Sequence, residues 1–173
     1  MIVGLSKEEF YSRATGPYWE KTRDARWEYS STAIGWVEKQ KAERVLELGC
    51  AGLALFHGSD TMDVAVETQP TFLRDATETP WPIADKTYDV FVALQVFEHL
   101  LGKQQAVFAE VMRVSRQAIL SVPFKWKDTN LPDHNDIDER VIAQWTLGVP
   151  SRSTHIVSRN RKRMRIIMHW VFD

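Results

Sequence analysis

The stretch Arg44-Val-Leu-Glu-Leu-Gly-Cys-Ala-Gly52 passes from a short apolar run to small residues with no polar segment between them. Such a run reads as a buried strand, and the small residues that end it read as a tight turn. Gly49, Ala51 and Gly52 would let backbone approach a ligand closely, and a helix N-terminus after the turn would offer free N–H groups. Working outward, Met62-Asp-Val-Ala-Val-Glu67 reads as a second strand ending on an acid, Tyr88-Asp-Val-Phe-Val-Ala-Leu94 as a third, and Gln117-Ala-Ile-Leu-Ser-Val-Pro123 as a fourth. Continuous apolar runs belong to strands covered on both faces, so a parallel sheet sandwiched by helices is expected. Between the last two strands, Lys103 to Val114 places Ala106, Val107, Val111 and Val114 on one stripe, as a right-handed crossover helix requires.

Further out, Trp27, Ile34 and Val37 recur near helical spacing and predict a helix from Arg23 to Lys41, with Gly35 as its weak point. Tyr11, Tyr18 and Trp19 lie upstream and either dock the N-terminal segment on the core or flap over a ligand. Residues 1–43 are thus read as a helical segment capping the site, and residues 44–173 as the α/β core of a single domain. After Pro123 a polar loop leads to a helix ending near Trp145, with Asp136 as N-cap and Glu139 at capping-box spacing. Thr154 to Ser158 and Met164 to Phe172 read as an antiparallel hairpin around the basic turn Arg159-Asn-Arg-Lys-Arg163.

The composition narrows the partners. In 173 residues, 22 Lys plus Arg against 23 Asp plus Glu leave a formal charge of -1, which argues against nucleic acid and an anionic membrane surface. No apolar run is long enough to span a bilayer, and the N-terminus has no signal-like apolar core, so neither export nor a membrane is expected. The single cysteine, Cys50, fits a reducing compartment, and the cytoplasm is the expectation.

Glu67, about 20 residues beyond the small-residue turn, stands where a carboxylate accepts hydrogen bonds from ribose hydroxyls. From Asp75 the sequence runs Asp-Ala-Thr-Glu-Thr-Pro-Trp-Pro-Ile-Ala-Asp-Lys-Thr-Tyr-Asp-Val-Phe-Val-Ala-Leu-Gln-Val-Phe-Glu-His-Leu100. Together with Arg44 to Gly52, this segment resembles the class I S-adenosylmethionine-dependent methyltransferases, in particular a compact type 11-like subgroup. The resemblance covers Arg44 to Pro123 and implies a Rossmann-like doubly wound sheet of seven strands, mostly parallel, whose last strand, Met164 to Phe172, is antiparallel. It implies S-adenosylmethionine as cofactor. Glu47 matches the acid of the first motif, Gly49, Cys50 and Ala51 would pass under the methionine end, and Glu67 would bind the ribose diol. Asp75 would contact the adenine amine with the Ala76 N–H beside it, while Leu94 and Gln95 would flank the methionyl group.

The sequence departs from the family pattern at Ala51 and Leu53, where glycines are usual. Only residues 51–61 separate the first two strands, so the usual first helix should be shortened; the third strand, Phe72 to Arg74, should be rudimentary. Methyl transfer needs alignment and, for some acceptors, a base, for which His99 and His134 are candidates. Asp133, His134, Asp136 and Asp138 have the wrong spacing for a calcium loop, and helix capping explains the acids better, so no metal is expected. The expected function is methyl transfer to O or N of a small molecule or sugar. The alternative is a non-catalytic binding or regulatory subunit of the same fold, with a homo-oligomer or a partner subunit open in either case. A nicotinamide dinucleotide domain fits less well, because the Asp75-Ala76 block has no role there.

Overall fold

Leu46, Val90, Phe91, Ala118 and Ile119 are wholly shielded from solvent, and neighbours along each strand point into different clusters of apolar side chains. That alternation is what a sheet covered on both faces requires. The computed structural model describes residues 1–127, 130–157 and 163–172. In chain order the elements are β1 (Val3–Gly4), α1 (Lys7–Arg13), α2 (Pro17–Glu20), α3 (Arg23–Lys39), β2 (Val45–Leu48), β3 (Phe56–His57), β4 (Asp60–Asp63), β5 (Phe72–Leu73), β6 (Tyr88–Leu94), α4 (Gln104–Val114), β7 (Ser115–Phe124), α5 (Glu139–Trp145), β8 (Ser153–Val157) and β9 (Met164–Val171).

Seven strands form one sheet in the order β5-β4-β2-β6-β7-β9-β8. The pairs from β5 to β7 are parallel, and β9 runs antiparallel to both β7 and β8. The sheet is therefore the mostly parallel, doubly wound architecture the sequence led us to expect, with the reversed strand at Met164–Val171. On one face, Val107, Phe108, Val111 and Val114 of α4 pack with Ile142 of α5 against Phe91, Ala118 and Leu120. Phe108, not the exposed Ala106, completes the buried stripe of α4. On the other face, Phe10 of α1 and Ala33, Ile34 and Val37 of α3 pack against Val45, Val90 and Ile119. The helix α3 runs unbroken past the exposed Gly35.

Three expectations are corrected. No helix at all connects β2 to β4: turns and the short β3, paired antiparallel with β1, take its place. The second strand spans Asp60–Asp63 and does not reach Glu67, which lies on a 3-10 turn, Val66–Thr68. Val64 and Val66 beyond it are apolar, which extends the strand pattern in the sequence, yet both are exposed. The N-cap of α5 is Asp138, whose carboxylate accepts from the Arg140 and Val141 N–H groups, and not Asp136, which has a positive φ of 57°. The third strand is indeed rudimentary, two residues paired to β4. Of the basic turn Arg159 to Arg163, all but Arg163 lies outside the described residues.

Candidate functional site

The carboxyl ends of β2, β4 and β6 converge on the turn Gly49–Gly52, where open α/β sheets bind ligands. Gly49 has a φ of +65°, and a Cβ there would lie 2.8 Å from Val96 Cγ2, so the turn requires glycine on two counts. Ala51 accepts a positive φ of 51° and Gly52 one of 78°. Leu48 and Gly49 line two cavities, one on either side of the turn.

The larger cavity, about 440 Å³, is lined by Asp63, Val64, Arg74, Asp75, Ala76, Thr77, Val96, His99, Leu100, Leu101 and Lys103. Asp63 ends β4 and is nearly buried; its Oδ1 accepts from the Ala65 N–H at 3.1 Å, leaving Oδ2 available. Asp75 is exposed, and the Thr77 N–H donating to its Oδ1 at 2.8 Å holds its carboxyl below the usual range. Ala76 is buried, its carbonyl accepting from the Trp81 indole N–H. Trp81 is a core residue stacked on Phe91, away from any ligand-platform role.

The smaller cavity, about 40 Å³, lies between the turn and the N-terminal helices, among Phe10, Trp19, Arg26, Tyr29, Ser30, Glu47, Cys50, Ala51 and Leu94. Its wall is built by rings that meet edge to face, Phe10 on Trp19 at 6.1 Å among them. Arg26 donates to the hydroxyls of Tyr18 and Tyr29 and to Thr22 Oγ1, while Arg165 of β9 lies 5.5 Å over the Tyr29 ring. Burial pushes the Tyr29 hydroxyl up and the Arg165 guanidinium down. Glu47 is buried, and burial pushes its carboxyl up to about 7. Both its oxygens are occupied: they accept from the Leu55 and Phe56 N–H groups and from Ser59 Oγ. Glu47 thus ties down the loop that replaces the missing helix. Burial also pushes the Cys50 thiol up to about 11, which keeps it protonated and unreactive.

Past the end of β6, Gln95 is tied from both sides, its Nε2 donating to Ser121 Oγ and its Oε1 accepting from Arg165 Nε at 3.0 Å. Beyond it, Glu98 and His99 sit on the 3-10 turn Phe97–His99, and His134 on the turn Pro132–His134. The two imidazoles meet at 5.0 Å between centroids, and His134 stacks on Trp126 at 5.5 Å. Glu98 is buried with no hydrogen-bond partner at either carboxylate oxygen, and burial pushes its carboxyl up to about 8.

Of the residues singled out in the sequence, Gly49, Asp75, Ala76 and His99 line the larger cavity, and Glu47, Gly49, Cys50, Ala51 and Leu94 the smaller. Gln95 and His134 line neither cavity; Gln95 accepts from Arg165, which lies over the Tyr29 ring, and His134 packs against His99. Glu67 lines neither cavity and is exposed on its 3-10 turn; Asp63 occupies the strand end assigned to it. Asp63, Thr77, Arg26 and Tyr29 were not singled out. Asp63, the last residue of β4, is legible from its place at the strand's carboxyl end, whereas Arg26 and Tyr29 reach the site only through the packing of α3 against the sheet.

No protein-family model matches the chain. No curated protein matches its sequence. Solved structures share its fold. The N-methyltransferase NodS from Bradyrhizobium japonicum WM9, in complex with S-adenosylhomocysteine, superposes with a TM-score of 0.68 at 11% identity, over 95% of this chain and 97% of that one. The PH0226 protein from Pyrococcus horikoshii OT3 gives 0.63 at 13% identity, over 98% and 100%. The methyltransferase domain of bacterial CtHen1 gives 0.58 at 14% identity, over 83% and 98%. The chain has the class I methyltransferase fold, and among the described residues no helix is long and apolar enough to cross a membrane.

Proposed function

We propose that the chain binds S-adenosylmethionine and transfers its methyl group to an oxygen or nitrogen of a small molecule or sugar. The observation that carries this reading is the pair of cavities meeting over Gly49, one roomy and edged by two carboxylates, the other narrow and aromatic. The nucleoside occupies the larger: Asp63 accepts from the ribose diol, and Asp75 faces the adenine amine with the Ala76 and Thr77 backbone beside it. The methionyl end crosses the Gly49-Cys50-Ala51 turn toward Leu94 and Gln95, and residues 1–43 close over it through Phe10, Trp19, Arg26 and Tyr29. Transfer is an in-line displacement at the methyl carbon in which the sulfonium leaves as a thioether, so alignment is the protein's main contribution. His99, which lines the larger cavity, and His134, packed against it, are the candidate proton acceptors. Two neighbours support the chemistry: NodS is an N-methyltransferase, and the N-terminal domain of EvdMO1 was solved with S-adenosylhomocysteine and D-fucose. The lone Cys50 thiol suits a reducing, cytoplasmic setting.

The narrowness of the second cavity favours one other reading, a binding or regulatory subunit that holds the cofactor without an acceptor, since about 40 Å³ admits only a few waters. Incubation with S-adenosylmethionine labelled in its methyl group and a panel of hydroxylated and aminated small molecules separates the two. Label in an acceptor supports the enzyme. Binding of the cofactor with no transfer across the panel supports the subunit, and absence of cofactor binding removes both.

A further inference from the structure

We propose that Glu98, His99 and His134 form a binding site for a first-row divalent transition-metal ion. One ligand atom from each lies within 4.8 Å of the other two. The 3-10 turn after β6 supplies Glu98 and His99, and the turn after β7 brings His134 across the sheet end to meet them. The carboxylate of Glu98 is the independent pointer. It is 5% exposed, and neither oxygen has a hydrogen-bond partner. A buried carboxylate with no donor is costly to fold around, and such groups are normally paired or coordinate a metal. The cations that face it do not supply the partner: Arg165 donates its Nε to Gln95 and lies over Trp126, and Arg26 donates to Thr22, Tyr18 and Tyr29.

Two imidazoles and one carboxylate are a donor set suited to iron, cobalt, nickel or zinc; magnesium and calcium, which want oxygen throughout, are poorly served. Ligands about 2.1 Å from a tetrahedral ion stand about 3.4 Å apart, so the cluster must close by roughly an ångström. The exposed His99 ring is free of packing that would hinder that movement, and Trp126 stacked on His134 fixes the opposite ligand. Three protein ligands leave coordination positions open, and His99 also lines the larger cavity, so the site borders it. This site assigns His99 and His134 as ligands in place of the proton-accepting role given above, and metal binding without cofactor decides between the two roles.

Titration of the chelator-treated full chain with Co²⁺, followed by visible absorption and calorimetry with no cofactor present, tests the site. The expected result is one equivalent bound, with Mg²⁺ failing to compete, and affinity reduced roughly 100-fold or more in Glu98→Gln and in His99→Ala. His99 is exposed, so His99→Ala reports on ligation even where the buried Glu98 variant does not fold. Absence of stoichiometric Co²⁺ binding, or binding that His99→Ala leaves unchanged, overturns the proposal.

Discussion

Gly49 concentrates the demands of the site in one residue. Its backbone lies in the left-handed region and its missing Cβ leaves room for Val96, which lines the larger cavity. Gly49→Ala should therefore cost about 2 kcal/mol from strain and collision. Thermal unfolding checks this, and adding Val96→Ala should return part of the loss; an unaltered melting temperature in the single variant would contradict the account. Glu47 carries a second prediction at this scale. Its carboxyl sits at about 7 in the folded chain against an ordinary 4.5, so the fold favours the neutral form. Its contribution to stability is then full below about pH 4.5 and is lost as pH rises to about 7, a loss on the order of 3 kcal/mol. Glu98, pushed to about 8, acts in the same direction. Glu47→Gln should consequently flatten the fall in stability between about pH 5 and about pH 8 measured by urea unfolding. A slope equal to that of the unaltered chain would show that Glu47 does not titrate across that window.

At the scale of elements, Tyr88–Leu94 is legible because its apolar run is long and buried on both faces, and Gln104–Val114 because its buried residues recur at helical spacing. Short elements are not. Val64 and Val66 are apolar and carry the strand pattern on to Glu67, yet they are 67% and 66% exposed, and the chain leaves the sheet after Asp63. With so little chain between β2 and β4, the connection is held by Glu47 and by pairing of β3 with the distant β1, a long-range contact that local pattern cannot reveal. The start of α5 shifted from Asp136 to Asp138 for a local reason: only the latter places its carboxylate over the free N–H groups of Arg140 and Val141. Asp138→Ala should lower stability by about 1 kcal/mol, and Asp136→Ala should do so far less. Equal effects on the melting temperature would contradict the capping assignment.

Across the whole molecule, the sheet order places one roomy and one narrow cavity on either side of a single glycine turn, and the N-terminal helices wall the narrow one. Part of the roomy cavity's lining, Gly49 and Asp75, is legible because both stand within two residues of a strand end, whereas Glu67 lines neither cavity. The aromatic lining of the narrow cavity is not legible, since Phe10, Trp19 and Tyr29 reach it only through packing of α1, α2 and α3 against the sheet. The proposed function puts a nucleoside in the roomy cavity against Asp63. Calorimetric titration with S-adenosylhomocysteine tests it most directly. Saturable one-to-one binding, weakened about 10-fold or more by Asp63→Ala, at the roughly 1.4 kcal/mol that tenfold represents, and unchanged by Glu67→Ala, is the predicted result. No saturable heat, or equal sensitivity to the two substitutions, would contradict it.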